Sequence, residues 1–364
     1  MKKKELGIAV VGSGRIGSLR AQLAAEHPAV GFVAVSDRDP ACARALAGKM
    51  AAQYHSADNL EAISRPEVNA VIVSTSESEH TEAVLAAIGL GKPVLVEKPI
   101  ALSLADADRI IAASEKAGVE VRVAYSRRYK ERYLIAKEQI AKGRVGRVLA
   151  CLARVYNSRS QAFAMMTRNP GATPVVDALT YYVDLMNWFL EGSRPVEVFA
   201  RGQRGVLQEA GFDADDVNWV IITYDNGAVV NLGVSYALPA KYPSLGHAAR
   251  VEILGNEGVI ILDDDHTDQV MYSDVGFPHV YLPGHDVNMV FLQSGTPGDW
   301  ALGSFLGPVA SETRAWLDHL ATGRPCQLAT PAEARLNLEV TLAVEEAARR
   351  RETVRLPGGG EETP

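Results

Sequence analysis

Short β-branched runs separated by amphipathic stretches set the rhythm of the first third of the chain. Leu6–Val11, Phe32–Ser36, Ala70–Ser74, Val94–Glu97 and Val119–Tyr125 have the composition of strands. Between them, Ile16–Glu26, Pro40–Ala52, Glu79–Leu90 and Leu104–Ala117 carry apolar residues at helical spacing. Ser103 stands at the start of the last of these as an N-cap, with Asp106 three positions on in its first turn. Strands that alternate with helices in this way predict a doubly wound parallel sheet covered by helices, the Rossmann arrangement.

Past residue 125 the rhythm changes. A helix over Arg132–Lys142 is followed by a polar loop and a helix over Asp177–Phe189. Arg147–Tyr156, Val196–Gln203, Val217–Tyr224, Ala228–Tyr236, Ala249–Leu254 and Val259–Leu262 then predict a large, mostly antiparallel sheet, with Asp225-Asn226-Gly227 and Asn256-Glu257-Gly258 as hairpin turns. Helices over Glu312–Ala321, ended by Gly323, and Pro331–Arg351 close the pattern. The fold class is therefore α/β followed by α+β. Residues 1–125 are expected to form the Rossmann domain, 126–355 the α+β domain, and 356–364 a disordered tail rich in Gly, Glu and Pro.

Composition narrows the class without naming a chemistry. A length of 364 residues favours two domains, and 47% apolar with 22% charged residues is the balance of a globular protein. A net charge of -7 argues against a general nucleic-acid partner, which needs excess Lys and Arg. Lys2-Lys3-Lys4 is followed by an apolar run that Gly12-Ser13-Gly14-Arg15 interrupts, so no export signal is read, and no run is long enough to span a bilayer. Cys42, Cys151 and Cys326 are odd in number and far apart, which suits small hydrophobes in a reducing cytoplasm better than a disulfide framework or a zinc site.

The chemistry gathers at two places. Gly12-Ser13-Gly14-Arg15-Ile16-Gly17 follows the first strand and opens the first helix, the context in which G-x-G-x-x-G marks a dinucleotide site. Its glycines permit a tight turn, a close backbone approach to pyrophosphate and close helix–strand packing, and the helix N-terminus favours the anion. Asp37 ends the second strand 20 positions after Gly17, where a carboxylate accepts the ribose hydroxyls of NAD and repels the 2′-phosphate of NADP. Arg38, beside it, is the competing feature, so NAD is favoured over NADP. In Val94-Leu95-Val96-Glu97-Lys98-Pro99, Lys98 stands at the sheet edge where ligands bind in doubly wound folds, suited to hydrogen-bond a substrate hydroxyl. Asp177, Tyr181 and Asp184, at i, i+4 and i+7, share one helical face; the pattern describes either a substrate-facing row or an ordinary half-buried helix.

The glycine fingerprint, Glu97-Lys98-Pro99, the run Ala124-Tyr125-Ser126-Arg127-Arg128-Tyr129 and the Asp177–Asp184 helix together resemble the Gfo/Idh/MocA family of dehydrogenases, in order and spacing over most of the chain. The resemblance implies hydride transfer between nicotinamide and a carbinol of a sugar, inositol or related cyclic polyol. It implies Lys98 as the catalytic lysine, Asp177 as its polar partner and Asp184 as a further carboxylate of the substrate helix. Tyr181 stands where many members carry a histidine base, so a phenol would take that role; its ordinary pKa of about 10 calls for a neighbouring cation, for which Lys98 is a candidate. Thr75 and His80 resemble the family segment beside the cofactor, with Ser76 in place of its usual Pro, and His80 reads equally as a helix-surface residue. The resemblance also implies that residues 1–125 bind the dinucleotide, that 126–355 serve substrate binding and oligomerisation, and that the chain forms a homodimer or homotetramer, since a large open sheet needs covering.

Further residues are candidates on their chemistry. Arg127, Arg154, Arg159 and Arg168 suit an anionic or hydroxyl-rich substrate, and Asn157, His247, His285 and Trp300 suit a pocket lining. Each also reads as an ordinary surface or core residue. Asp263-Asp264-Asp265-His266 lacks a metal-ligand spacing and reads as an exposed turn; no metal is expected. Two other functions stay open, a cis-dihydrodiol dehydrogenase of aromatic-acid catabolism and a non-catalytic NAD(P)-binding sensor or regulator.

Overall fold

The computed structural model describes residues 5–169, 171–240, 248–263, 269–278, 284, 286–292, 299–301 and 304–357. The chain forms two compact units, Met1–Tyr129 with Gly298–Leu338, and Lys130–Pro297 with Glu339–Pro364. The contiguous division expected at residue 126 thus differs from the observed units, because a late segment returns to the first. The expected disordered tail falls largely on residues 358–364, outside the described residues.

In the first unit the order is β1 (Leu6–Val11), α1 (Arg15–Ala25), β2 (Val30–Ser36), α2 (Pro40–Met50), β3 (Tyr54–Ser56), α3 (Asn59–Ser64), β4 (Ala70–Val73), α4 (His80–Gly89), β5 (Val94–Glu97), α5 (Leu104–Ala117) and β6 (Val121–Ala124). The six strands form one parallel sheet in the order β3-β2-β1-β4-β5-β6. β1 and β4 are buried at every position, as strands covered on both faces must be. Helix starts follow local chemistry. Asp39 caps α2 by accepting from the Ala41 N–H, with Pro40 as its first residue, and Ser103 caps α5 by accepting from the Asp106 N–H. β3 and α3, absent from the expected pattern, are too short for periodicity to reveal, although Asp58 caps α3 through the Leu60 and Glu61 N–H groups.

The second unit contains α6 (Glu131–Ala141), β7 (Val148–Ser158), α7 (Arg159–Arg168), α8 (Thr180–Phe189), β8 (Pro195–Gln203), the single turn α9 (Val206–Glu209), β9 (Val217–Tyr224), β10 (Val229–Leu238), β11 (Ala248–Gly255), β12 (Gly258–Asp263), β13 (Gln269–Pro278) and β14 (Asp286–Leu292). After them come β15 (Asp299–Ala301), β16 (Ser304–Leu306), α10 (Pro308–Thr322), α11 (Pro331–Arg350) and β17 (Val354–Arg355). Nine strands make one mixed sheet, β14-β13-β12-β11-β7-β10-β9-β8-β17, in which β7 and β10 are parallel and the other pairs antiparallel. Both expected hairpin turns join antiparallel neighbours, and Gly227 sits at φ +83°. α7 occupies part of the stretch expected to be a polar loop; Ala162, Met165 and Met166 are its buried stripe.

The inner face of this sheet, with Val155, Val220, Val230, Leu232, Val234 and Val251, shares one core with Ala178, Leu179, Tyr182 and Met186 of the helical layer. α10 and the stretch before α11 belong to the first unit: α10 packs on α1 and on the turn Ser126–Tyr129, and Val123 bridges to Ala329. Among the described residues no helix is long and apolar enough to cross a membrane, and no group of three or more His, Cys, Asp or Glu is placed to hold a metal ion.

Candidate active site

The candidate residues fall into two halves, one in each unit. In the first, β1 runs into Gly12 at φ +95°, a conformation that side chains rarely adopt. A Cβ there would lie 2.6 Å from the Ser74 carbonyl oxygen, and one on Gly17 would lie 1.8 Å from that of Gly12. These glycines let α1 press against the ends of β1 and β4. At Gly14 a Cβ would meet nothing within 4 Å, so the absence of a side chain leaves open space over the turn. No side chain caps α1 and no acidic residue stands in its first turn, which leaves the N-terminal dipole to an anion. Arg15 opens the helix exposed, with Ile16 half-buried behind it. Ser74 Oγ is buried without a hydrogen-bond partner among the described residues, a polar atom beside the turn that sequence reading passed over.

Asp37 Oδ2 accepts from the Ser13 N–H at 2.8 Å and Oδ1 from the Asp39 N–H at 3.0 Å. A carboxylate offers roughly four acceptor sites, so two main-chain bonds fix its orientation and leave capacity for ribose hydroxyls. Arg38 is 78% exposed and donates from Nη1 to Glu79 Oε1 at 2.9 Å. Glu79 therefore engages the cation that a 2′-phosphate would need. An open turn, an uncapped helix start, an unpartnered hydroxyl and an oriented carboxylate together fit a dinucleotide.

Lys98 follows β5 and is half-buried. Its neighbours are tied down on both sides. Glu97 Oε1 accepts from Arg20 Nε at 2.8 Å and Nη2 at 2.6 Å. The Pro99 carbonyl lies 2.8 Å from His80 Nδ1, whose Nε2 is 3.3 Å from the Thr75 carbonyl. His80 is only 1% exposed, so the surface reading is corrected: it heads the buried side of α4 and joins the turn after β4 to the turn after β5. Thr75 Oγ1 donates to the Ser76 carbonyl at 3.2 Å. Arg127 is buried in the turn Ser126–Tyr129 of the same unit.

In the second unit, Asp177 lies in a single π turn, Val175–Leu179, that runs directly into α8. The i, i+4, i+7 row was expected on one α-helix; the wider turn changes the angular step at Asp177, and such turns recur at functional sites. Asp177 Oδ2 accepts from Tyr236 Oη at 2.6 Å. Tyr236, 1% exposed near the end of β10, is a functional candidate missed in the sequence; the signal available was a phenol on the inward row with Leu232 and Val234. Tyr181 is half-buried on α8, and Asp184 is fully buried.

The remaining candidates scatter. On β7, Asn157 points inward with Cys151, Ala153 and Val155, whereas Arg154 belongs to the opposite face and lies 5.0 Å from the Tyr156 ring centroid. β7 therefore brings Asn157, and not Arg154, to the side of the sheet that holds Asp177. Arg159 donates to the Ala237 and Leu238 carbonyls, and Arg168 is exposed at the end of α7. Asp263 is 5% exposed and paired with Arg250 at 3.3 Å, which corrects the exposed-turn reading for that residue. Asp264, Asp265, His266, His247 and His285 lie outside the described residues; Trp300 lies on β15. Of the cysteines only Cys151 is the expected buried hydrophobe, its thiol pushed up to about 12 by burial, whereas Cys42 is exposed.

Comparison with known proteins agrees with the fold of both parts of the chain. Residues 6–125 match the family model described as an oxidoreductase family with an NAD-binding Rossmann fold, and residues 133–261 match the GFO/IDH/MocA C-terminal domain. An inositol 2-dehydrogenase of Acidothermus cellulolyticus is 32% identical over 263 residues, covering 71% of this chain and 73% of that protein. The chain belongs to the Gfo/Idh/MocA family. Its relatives include a myo-inositol 2-dehydrogenase of Thermotoga maritima, 29% identical over 279 residues, 73% of this chain and 78% of that one. The fold is shared with a scyllo-inositol dehydrogenase from Lactobacillus casei solved with NAD(H) and scyllo-inositol, at TM-score 0.76 and 16% identity, covering 97% of this chain and 99% of that one. This Gfo/Idh/MocA protein is therefore an oxidoreductase with an NAD-binding Rossmann domain.

Proposed function

We propose that this family member is an NAD-dependent dehydrogenase that oxidises a carbinol of a cyclic polyol, an inositol or a sugar. The observation that carries the reading is Lys98 at the C-terminal edge of the NAD-binding sheet, with the residues on both sides of it tied to the protein. The polyol class rests on the names of the relatives, inositol 2-dehydrogenases at 29% and 32% identity.

Residues 12–17 hold the pyrophosphate at the start of α1, Asp37 accepts the ribose hydroxyls, and Thr75 lies beside the cofactor. NAD, when bound, supplies the hydride acceptor. Lys98 hydrogen-bonds the reacting hydroxyl and favours its alkoxide, and Tyr181, acting as its phenolate, takes the hydroxyl proton. Asp177, held by Tyr236, and Asp184 and Asn157 support the substrate side. Preference for NAD over NADP follows from Asp37 and from Glu79, whose carboxylate holds Arg38. The outer face of the second unit's sheet exposes Leu152, Phe199, Trp219, Ile221, Leu254 and Tyr272. A face this apolar suits a homodimer or homotetramer. Three scattered free cysteines suit a reducing cytoplasm.

The test is a screen of inositols, aldoses, glycosides and aromatic dihydrodiols with NAD and NADP, followed by absorbance of the reduced cofactor. Turnover of a polyol with NAD at a higher kcat/KM than with NADP is the expected result. Turnover confined to dihydrodiols, or tight NADH binding with no turnover of any compound, would overturn the reading.

A further inference from the structure

Arg20 lies on α1, three positions past Gly17 and among the helix's buried residues Ala21, Leu23 and Ala24. A cation on a buried stripe is rare unless it is paired. Here it has two carboxylates and a hydroxyl: besides the two bonds to Glu97 Oε1, Nη2 donates to Glu312 Oε2 at 2.6 Å and Nη1 to Thr313 Oγ1 at 2.7 Å. Arg20 is 1% exposed and Glu312 0%. Burial alone disfavours the guanidinium charge, but the Glu97 and Glu312 carboxylates more than offset this and push its pKa up.

Glu312 and Thr313 sit on α10, which returns to the first unit 292 residues after Arg20. Thr313 is fixed in turn by donating to the Val309 carbonyl at 2.7 Å. The guanidinium is planar, so one end pinned by α10 dictates where the other end can hold Glu97. Glu97 immediately precedes Lys98, while His80 holds the Pro99 carbonyl on the far side. The strand end is thus anchored before and after the one lysine.

We infer that Arg20 and Glu312 are positioning residues for Lys98: α10 fixes the guanidinium, the guanidinium clamps Glu97, and the clamp sets where the Lys98 ammonium stands. The inference rests on the reading of Lys98 as the catalytic lysine. It assigns the late helix a part in the catalytic frame and not only in the fold.

Four variants test it: Arg20→Met, Arg20→Lys, Glu312→Gln and Lys98→Ala. Each is measured for NADH binding by fluorescence and, with NAD and myo-inositol, for kcat, KM and the primary deuterium isotope effect at the oxidised carbon. The surroundings of Lys98 are read without turnover from the NMR signal of its reductively 13C-methylated amine, assigned by its loss in Lys98→Ala. The expected result for Glu312→Gln and Arg20→Met is a kcat at least about tenfold lower, a raised isotope effect, NADH affinity within about twofold of wild type and a displaced Lys98 signal. Arg20→Lys, which keeps the charge, recovers part of kcat. If Arg20→Met does not fold, Glu312→Gln decides alone, because it preserves shape and an acceptor oxygen. A lowered melting temperature with unchanged kcat per folded site and an unmoved Lys98 signal would overturn the inference. Full turnover in Lys98→Ala would instead sink the assignment of Lys98, and the NMR signal would still report whether Arg20 and Glu312 place it.

Discussion

The candidate residues of the two units are built from different materials. In the first unit the groups proposed to meet the cofactor are largely main chain: a left-handed glycine, an uncapped helix start and a carboxylate oriented by two backbone N–H groups. In the second unit the candidates for the substrate side are side chains brought together from separate elements, as when Tyr236 of β10 reaches Asp177, 59 positions earlier in the chain. Main-chain sites tolerate almost no added atoms yet demand little residue chemistry. Side-chain sites tolerate bulk better and depend on single donors and charges.

The sharpest way to break the comparison is Gly17→Ala, whose new Cβ would fall 1.8 Å from a backbone oxygen. The expected loss of NADH affinity is roughly 100-fold, equivalent to about 2.7 kcal/mol, together with a stability loss of about 1–3 kcal/mol from overpacking. Isothermal titration and thermal melting check both. Tyr236→Phe removes one oxygen and leaves the shape, so NADH binding is unchanged while kcat falls about tenfold, the scale expected for a lost hydrogen bond to a carboxylate. Equal kcat in that variant would show that Asp177 needs no such partner.

A smaller effect sharpens the cofactor half. Glu79→Gln releases Arg38, and because the pair is exposed the NADP-to-NAD ratio of kcat/KM rises by about two- to fivefold, in keeping with less than about 1 kcal/mol. The smallest effects lie on α11, where two glutamates shift in opposite directions. Burial would raise Glu333, but Arg128 and Thr330 hold it below the ordinary range; its contribution is present at neutral pH and is lost as pH falls through its folded-state pKa. Burial raises Glu345 despite the Thr173 hydroxyl, so its contribution is present in acid and lost as pH rises through its folded-state pKa. At pH 7 Glu333→Gln is expected to lower stability and Glu345→Gln to raise it, each by under about 1 kcal/mol, and both differences vanish near pH 3. Denaturant titrations across that range read the two signs.

How far each half was legible in the sequence follows from the same contrast. Gly12, Gly14, Gly17 and Asp37 lie within one βαβ stretch, where spacing along the chain is spacing in space. The strands of both sheets up to β12 were legible except β3, which with α3 was too short to carry a period, whereas β13, ten residues long with a register shift between Tyr272 and Phe277, and β14 were not expected. Lys98 and Asp177 were legible as candidates from their place in the pattern, with their proposed roles supplied by the resemblance. Tyr236, Arg20 and Glu312 were not, since strand register and the return of α10 to the first unit create their contacts. Arg154 shows the converse: its chemistry suits a substrate, but a period of two residues turns it to the outer face.

The central claim, that Lys98 and Tyr181 carry the chemistry on an independently built NAD site, is tested most directly by measuring turnover and NADH binding side by side in Lys98→Ala and Tyr181→Phe. The account predicts that kcat falls about 10²–10⁴-fold in each while NADH affinity stays within about twofold of wild type. Near-normal turnover in either variant, or a loss of activity traced wholly to lost NADH binding, would contradict it.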